Sequence, residues 1–363
     1  MSVYSTTERG GKNMTKKAKR THRPFYRRKF FLWIISVGVV VAVILLAFRL
    51  SPVPGALIIK SVFNRNGSKV LAAMENFTPD KPVISVKDQS YRADDPDALL
   101  DVYYPQSVEG SATRLPVVIW THGGAWLSGD KTDDTPYFKL LAAAGYVVIA
   151  PNYTLAPHKS YPYQLHQLNE AHSYAIKYAE RFHVDTSKVV LAGDSAGAQL
   201  SAQFGALITN PTYAKEVGLT PALQSTQLKG LVLNCGIYKM EGLTHPNPTL
   251  PKIVGWGNDV TVWAYGGTRD FSDPVFRQMS AYYHVTDAYP ATYISGGNAD
   301  LLTKAQSEPF AAKLRALNVE VSELFYPDTY TPPLAHEYQF DLNTHAAQGA
   351  LAQTITFLSQ QTR

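Results

Sequence analysis

Short runs of apolar and β-branched residues alternate, from about Pro82 onward, with longer segments in which apolar residues recur at helical spacing. Eight of these runs predict strands at 83–86, 100–104, 117–120, 146–150, 189–192, 231–234, 292–295 and 319–325. The first two lie close together before any helix and predict an antiparallel start. The others alternate with helical segments, which is typical of a parallel sheet. The pattern therefore predicts an α/β domain with an eight-stranded, mostly parallel sheet.

Helical spacing is found between the strands and after the last one. It predicts helices at 163–182, at 198–208, around Phe310, Leu314 and Leu317, and at 344–360. Two segments fall outside the alternation. Residues 49–81 predict one or two helices beside a membrane or over the sheet, as a juxtamembrane or cap segment. Residues 241–290 are rich in aromatic residues and predict a lid insertion, with packed surface structure as the alternative.

Residues 30–48 form a run of 19 residues without a charged side chain. A helix of this length spans about 28 Å, close to the hydrocarbon thickness of a bilayer. A cleaved signal peptide and a buried core helix are the competing interpretations. The run is longer than the apolar part of a usual signal peptide, and no pair of small residues marks a cleavage site before Ser51. We therefore predict an uncleaved transmembrane signal anchor.

Positive charge is concentrated before this run. Residues 1–29 hold ten Lys or Arg and one acid, whereas the whole chain has a net charge of +5, so residues 30–363 carry −4. Because only Arg49 follows the run closely, the positive-inside rule places the basic tail, 1–29, in the cytoplasm and the remainder outside the cell membrane. A nucleic-acid partner is not expected, because the folded part of the chain is acidic. The lipid bilayer is the predicted partner of residues 30–48.

The composition, with 45% hydrophobic and 17% charged residues, predicts a packed core and excludes a disordered chain. Cys235 is the only cysteine, which excludes an internal disulfide and a cysteine-based metal cluster. Its place beside an apolar run predicts a small buried side chain without a chemical role.

The sequence Gly193-Asp194-Ser195-Ala196-Gly197 matches the pattern G-x-S-x-G. The pattern alone is weak, but here it follows the predicted strand 189–192 and precedes the predicted helix 198–208. That strand, turn and helix arrangement holds a serine on a tight elbow with its hydroxyl exposed. Ser195 is therefore the predicted nucleophile, and a tight turn of small residues without chemistry is the alternative.

Acyl transfer at a serine also needs donors that stabilise an oxyanion. The sequence Thr-His-Gly-Gly-Ala-Trp at 121–126 follows the third predicted strand, and its glycines let backbone N–H groups approach a substrate closely. We predict an oxyanion hole formed by Gly123, Gly124 and Ala196. His122 is predicted to organise this loop rather than to act as the base, because it precedes the serine and lies within the glycine turn.

Proteins with this elbow place the acid and then the histidine after the serine. Four of the ten histidines follow Ser195, namely His245, His284, His336 and His345. His336 is the predicted base, because it lies in a proline-rich loop after the last strand, whereas His345 falls in a predicted helix and the other two precede the acid. Asp300, after the seventh strand, is the predicted acid, and Asp328 is the alternative.

Six features resemble the α/β-hydrolase esterases of the hormone-sensitive-lipase and carboxylesterase-like type. They are the loop 122–126, the sequence Asn-Tyr-Thr-Leu-Ala-Pro at 152–157, Tyr161-Pro162, the elbow 193–197, Gly297-x-x-Asp300-x-Leu302 and the late His336. The resemblance covers residues 82–363 and implies a catalytic domain with helices on both faces of the sheet and a cap. The chain departs from many members at Ala125, His158 and Glu337, which bears on the shape of the acyl pocket rather than on the triad.

These features predict a membrane-anchored serine carboxylesterase or lipase that acts on a small-molecule or cell-surface ester. No metal or cofactor is expected, because a serine, a histidine and an acid suffice for this chemistry. Amide hydrolysis, as in serine peptidases or aryl-formamidases, is a second interpretation, since those enzymes look similar around both glycine motifs. A catalytically silent surface binding module is a third, which the complete set of triad residues disfavours.

Overall fold

A computed structural model describes residues 1–7, 25–244 and 251–363 of the chain. These residues divide into two units, Met1–Leu50 and Ser51–Arg363. In the first unit, α1 (Phe25–Leu50) contains the predicted anchor. Its stretch Arg28–Leu50 is long and apolar enough to cross a bilayer, a property that a signal sequence shares.

The second unit contains all eight predicted strands in one sheet. They are β1 (Val83–Ser90), β2 (Leu99–Pro105), β3 (Leu115–Thr121), β4 (Val147–Pro151), β5 (Val184–Asp194), β6 (Leu228–Asn234), β7 (Thr292–Gly296) and β8 (Val321–Phe325). Their order across the sheet is β1-β2-β4-β3-β5-β6-β7-β8. The pairings of β1 with β2 and of β2 with β4 are antiparallel, and the others are parallel. The predicted fold class is confirmed.

The helices of this unit, among the described residues, begin with α2 (Val53–Met74), α3 (Thr135–Ala143), α4 (Tyr163–Lys177), α5 (Ser195–Thr209) and α6 (Pro211–Val217). They continue with α7 (Glu241–Thr244), α8 (Lys252–Gly266), α9 (Pro274–Gln278), α10 (Glu308–Ala316) and α11 (His345–Gln361). The largest differences between the predicted and the observed boundaries occur at α4 and β5. The helix predicted at 163–182 ends at Lys177, and β5 begins at Val184 rather than at 189, because residues 178–183 form turns that lead into the longer strand.

Alternate residues of the strands face two separate apolar cores. In β3, Val117 and Ile119 belong to one core, whereas Val118 and Trp120 belong to the other. Helices α4 and α5 contribute buried side chains to the first core, and α3 and α11 contribute to the second. The sheet is therefore covered by helices on both faces.

Parallel pairing brings the carboxyl ends of the central strands to one edge of the sheet. Thr121 at the end of β3 pairs with Gly193 of β5, and Asn234 of β6 pairs with both Asp194 and Ser295. Gly296 at the end of β7 pairs with Phe325 of β8. The loops that carry the predicted chemistry all leave the sheet at this edge, which is where ligands bind in open α/β sheets.

Helix α2 and part of the segment 241–290 pack together. Gly55 of α2 approaches Val260 and Trp256 of α8 so closely that a Cβ there would lie 2.8 Å from Val260. Within the same segment, Tyr265 is fully buried and stacks on Trp126, with ring centroids 4.6 Å apart. The segment therefore holds packed structure, and its motion as a lid remains a prediction.

Two glycines offer a matched test of helix packing. A Cβ on Gly205 of α5 would lie 2.8 Å from Tyr289 and 2.9 Å from Leu231, whereas one on Gly349 of α11 would meet nothing within 4 Å. We expect Gly205→Ala to lower the free energy of unfolding by about 1–3 kcal/mol through overpacking. We expect Gly349→Ala to raise it by about 1 kcal/mol, because alanine favours a helix interior. Thermal unfolding of the purified chain in detergent, followed by circular dichroism, checks both, and a stabilised Gly205→Ala variant would contradict the packing described.

Candidate active site

Ser195 lies on a sharp turn between β5 and α5, with a φ angle of +47°. A positive φ is uncommon for a residue with a side chain, and such backbone strain is often found at functional sites. The turn needs glycine beside it, because a Cβ on Gly197 would lie 1.9 Å from the carbonyl oxygen of Thr121. The predicted elbow is therefore a tight backbone turn at the carboxyl edge of the sheet.

Ser195, His336 and Asp300 form a continuous chain of hydrogen bonds. The Oγ atom of Ser195 lies 3.0 Å from Nε2 of His336, and Nδ1 of His336 lies 2.9 Å from Oδ2 of Asp300. Ser195 and Asp300 are buried, whereas the His336 side chain is 31% exposed. This is the geometry of a nucleophile, a base within reach of its proton and an acid that orients the base.

The loops that carry Asp300 and His336 are hydrogen-bonded to each other. The side-chain oxygen of Asn298 accepts from the N–H of Leu334 at 2.8 Å, and the N–H of Ala299 donates to the carbonyl of Leu334 at 2.9 Å. The N–H of Leu302 also donates to Oδ1 of Asp300 at 2.9 Å. These bonds fix the distance between the acid and the histidine.

His122 is buried in the loop after β3 and stacks on Tyr153 with ring centroids 4.4 Å apart. Its Nδ1 lies 2.9 Å from the carbonyl oxygen of Gly123, and the Tyr153 hydroxyl donates to the carbonyl of His122 at 3.0 Å. Burial lowers the pKa of His122, so the imidazole is neutral at pH 7. Its contacts hold the loop, in keeping with the predicted organising role.

The three predicted oxyanion donors lie near the elbow. Ala196 is in the first turn of α5, where N–H groups have no acceptor within the helix. Gly124 has a φ of +94°, and its carbonyl accepts from both the N–H and the hydroxyl of Ser128. The N–H of Gly123 is directed at the Asp194 carboxyl. The oxyanion role of these residues stays a prediction.

The other candidates for base and acid lie in different surroundings. His284 stacks on Tyr213 and its Nε2 lies 3.1 Å from the carbonyl oxygen of Arg277. His345 is the first residue of α11, and Asp328 forms an exposed ion pair with Lys304. His245 lies outside the described residues. The structure therefore brings together Ser195, Asp300 and His336 and none of the described alternatives.

Glu337 is a site residue that the sequence reasoning missed. Its carboxylate lies 3.6 Å from Nε2 of His336 and beside Gly123, and its own φ is +60°. Burial lowers the pKa of His336, but the Glu337 and Asp300 carboxylates outweigh this effect and raise the pKa to about 9. The signal in the sequence is the glutamate at a position where glycine is frequent, which the family resemblance connects only with the shape of the acyl pocket.

Two further acids, Asp194 and Asp134, are buried near Glu337 and His336. Oδ1 of Asp194 accepts a 2.9 Å hydrogen bond from the Trp120 indole. Burial and the charge of Glu337 raise the pKa of Asp194 well above its usual range. Burial, together with the charges of Asp194 and Glu337, also raises the pKa of Asp134 well above its usual range. The raised pKa values favour the neutral forms of Asp194 and Asp134, so the carboxylates that chiefly act on His336 are those of Glu337 and Asp300.

Cys235, Asp300 and His336 are the described residues whose donor atoms could hold a metal, since these atoms lie within 4.8 Å of one another. His336 and Asp300 already bond to each other, and the buried Cys235 thiol faces Oε1 of Gln339 at 3.5 Å. Burial also raises the pKa of this thiol well above its usual range, which disfavours the thiolate that binds metals. A cation here would have to break the hydrogen bond between the histidine and the acid.

A cleft of about 790 Å³ opens beside His336 and Gly123. Helix α2 forms one wall with Lys60, Phe63 and Val70, among other residues. This volume is large enough for a substrate of drug size or longer. The cleft therefore gives a substrate access to the histidine from the side on which α2 lies.

Comparisons with known proteins show the family to which this chain belongs. The chain matches the BD-FAE family over residues 100–314, a range that includes Ser195 and Asp300 but ends before His336. Esterase LipC of Mycobacterium tuberculosis is 31% identical over 270 residues, which cover 74% of this chain and 63% of LipC. Kynurenine formamidase of Drosophila melanogaster is 26% identical over 204 residues, which cover 51% of this chain and 63% of that protein. The chain thus spans less than two thirds of the length of either relative.

A solved structure establishes the fold independently of these sequences. Esterase B from Lactobacillus rhamnosis superposes with a TM-score of 0.70 over 85% of this chain and 96% of that one, at 22% identity. The predicted resemblance to α/β-hydrolase esterases is therefore confirmed at the level of fold and family. Because the family match covers more than half of the residues, the chain belongs to the BD-FAE family and has the α/β-hydrolase fold.

Proposed function

We propose that this chain is a serine carboxylesterase whose catalytic residues are Ser195, His336 and Asp300. The observation that carries the proposal is the unbroken hydrogen-bonded chain from the serine hydroxyl through the imidazole to the carboxylate. The names of two relatives support ester hydrolysis rather than amide hydrolysis. LipC is named an esterase, and NlhH of Mycobacterium tuberculosis, 34% identical over 121 residues, is named a carboxylesterase.

In the proposed reaction, His336 takes the proton of Ser195 as Oγ attacks the ester carbonyl. The proton then passes to the leaving alcohol, and an acyl-enzyme remains. His336 next activates water, which releases the carboxylic acid and returns the proton to Ser195. Asp300 holds the imidazole in the tautomer whose Nε2 accepts from the serine. The N–H groups of Gly124 and Ala196 stabilise the oxyanion, and the start of α5 adds the positive end of its dipole. Gly123 is the third predicted donor, and its N–H would have to leave the Asp194 carboxyl to reach the oxyanion.

Amide hydrolysis is the second candidate, and the likeness to kynurenine formamidase favours it. The same three residues would attack an N-formyl group instead of an ester. We rank esters first because LipC matches 74% of this chain and the formamidase matches 51%. A silent binding module is the least favoured candidate, because the three triad residues are present and connected.

We also propose that α1 anchors the chain in the cell membrane through residues 30–48, with the basic tail 1–29 in the cytoplasm and the catalytic unit outside. The support is the length and apolar character of Arg28–Leu50 and the excess of basic residues before it. The proposed substrate is accordingly a small-molecule or cell-surface ester on the outer side.

The first prediction concerns Ser195. Purified full-length chain in detergent is expected to hydrolyse p-nitrophenyl esters, and Ser195→Ala to reduce kcat by about 10³-fold or more, because the nucleophile is lost. Ser201→Ala is a matched control, since Ser201 lies on the same helix and its hydroxyl bonds to the backbone carbonyl of Ala192. Substrates of increasing acyl length, with N-formyl-arylamines in parallel, measure the preference. Equal turnover by the Ser195→Ala variant, or turnover of the formamides alone, would contradict the carboxylesterase proposal.

The second prediction concerns pH. Only neutral His336 can act as the base, so its pKa of about 9 predicts that kcat/KM rises with pH between pH 7 and pH 9. Glu337→Gln removes a charge that favours the imidazolium, so the rise should move down by about one pH unit and activity at pH 7 should increase. Glu180→Gln, at a side chain 94% exposed and away from the site, should leave the profile unchanged. A profile that does not move in Glu337→Gln would refute the assigned electrostatic effect.

The third prediction concerns the anchor. Full-length chain expressed in bacteria should stay in the membrane fraction after alkaline carbonate extraction, whereas residues 51–363 should not, because they lack the apolar span. Protease added to intact spheroplasts should digest the catalytic unit of the full chain. Release of the full chain by carbonate would argue against anchoring, and protection from protease would argue against the proposed orientation.

A further inference from the structure

The outward face of α2 exposes large apolar side chains near its start. In the described part of residues 51–363, six large apolar side chains are exposed, and four of them lie within the first ten residues of α2. These four are Val53, Leu57, Ile58 and Val62. Leu57 is 63% exposed, although burial of such a side chain is favourable. The clustering matters, because single exposed apolar residues are ordinary whereas contiguous ones mark interaction sites.

Helix α8 adds a fifth member to this surface. Ile253, in the first turn of α8, is 70% exposed, and α8 packs against the start of α2 through the contact of Gly55 with Val260 and Trp256. We call the five side chains Val53, Leu57, Ile58, Val62 and Ile253 the α2 patch. It is an apolar surface shared by two adjacent helices.

The charges of α2 distinguish it from the rest of its unit. The helix carries Lys60, Arg65 and Lys69 and no acidic residue, whereas residues 51–363 together have a net charge of −5. Arg65 and Lys69 are exposed and follow the apolar residues by one and two turns. An exposed apolar face combined with basic residues is the pattern of a helix that lies in the interface of an anionic membrane.

The same helix forms a wall of the catalytic cleft. Phe63, Gly67 and Val70 line the cleft, whereas Leu57 and Val62 of the α2 patch do not. The two sets of side chains lie on adjacent faces of one helix. A surface that held the α2 patch would therefore lie beside the opening of the cleft.

We infer that the α2 patch lies in the interface of an anionic lipid bilayer and that the catalytic cleft takes its ester substrate from that bilayer. The inference rests on the proposed esterase function and anchoring. In the sequence only Ser51 and Pro52 separate α1 from α2, so an anchored α1 would tether α2 to the bilayer by a two-residue link. The substrate class is then an amphiphilic ester, with an acyl chain that can lie along α2 in the cleft that reaches His336 and Gly123.

The first experiment locates the patch. Full-length Leu57→Cys and Val62→Cys variants are labelled with the fluorophore NBD and reconstituted in vesicles of phosphatidylcholine and phosphatidylglycerol that contain doxyl-labelled lipid. Thr226→Cys is the matched control, because Thr226 is exposed before β6 at the opposite edge of the sheet. Cys235 is buried, and labelled wild type measures any background from it.

We expect the doxyl lipid to quench the labels at residues 57 and 62 at least twofold more than the label at 226. We expect less quenching in phosphatidylcholine alone, and in the Arg65→Glu, Lys69→Glu double variant, but not in Lys177→Glu, whose exposed charge lies on α4. Equal quenching at all three sites would overturn the proposal. Cross-linking of residue 57 between two copies, without quenching, would overturn it in favour of a self-association surface.

The second experiment tests the substrate class. The Leu57→Asp, Val62→Asp double variant should hydrolyse a fluorogenic diacylglycerol ester in vesicles at least fivefold more slowly than wild type. Its turnover of soluble p-nitrophenyl butyrate should stay within twofold, because neither residue lines the cleft. Unchanged turnover of the bilayer ester, or an equal loss on both esters, would overturn the inference.

These outcomes distinguish a failure of this inference from a failure of the proposed esterase function or of the proposed anchoring. Wild type that hydrolyses neither ester refutes the esterase function and the substrate class with it, whereas the quenching result still decides the location of the α2 patch. Full-length chain that fails to enter vesicles refutes the anchoring. Anchored and active chain without quenching at residues 57 and 62 refutes the membrane contact of α2 alone.

Discussion

The close approach of the first turn of α5 to the end of β3 is the constraint on which the site depends. At Gly197 the two backbones leave no room for a Cβ, since it would lie 1.9 Å from the Thr121 carbonyl oxygen. This contact places Ser195 beside the loop that begins at His122 and forces the serine to a positive φ. The strain is local, and it is offset by two apolar cores that hold β3 and β5 side by side in parallel register.

The pKa of His336 depends on the acidic side chains that the loops at this edge of the sheet bring close to it. Asp300 bonds to one nitrogen of the imidazole, and Glu337 lies near the other, with Asp194 and Asp134 buried behind it. The charges of Asp300 and Glu337 stabilise the imidazolium that forms in the proposed acyl transfer, whereas the raised pKa values of Asp194 and Asp134 favour their neutral forms. The charges of Asp300 and Glu337 also hold the resting histidine in its protonated form at neutral pH, so the same charges favour the transition state and reduce the supply of active base.

Most of the sheet and the positions of the proposed triad could be predicted from the sequence, because both depend on local patterns. Runs such as 117–120 and 231–234 are apolar on both faces, as buried parallel strands are. The elbow motif and the order of Asp300 and His336 then place three loops at one edge. The sequence alone could not place the carboxylate of Glu337 at Nε2 of His336, because that contact depends on the path of a loop in three dimensions.

The same limit applies to the ends of elements and to the packing of the helices over the sheet. Apolar periodicity did not fix where α4 ends, since residues 178–183 include apolar side chains that pack on the core from turns. The pairing of α2 with α8, which includes the close approach at Gly55, joins segments about 200 residues apart in the sequence. Periodicity shows which face of a helix is apolar but not which partner covers it.

The stacking of Trp126 on Tyr265 links the loop after β3 to the segment between β6 and β7. The Trp126 indole also donates to Gln199 on α5 at 3.0 Å, so one side chain contacts the loop, the elbow helix and the segment above them. Displacement of Tyr265 would remove the ring that stacks on Trp126 and would alter the position of the loop 122–126. The packing of Tyr265 and the position of the loop that carries the predicted oxyanion donors Gly123 and Gly124 are therefore thermodynamically linked, and each must bias the other by the same free energy.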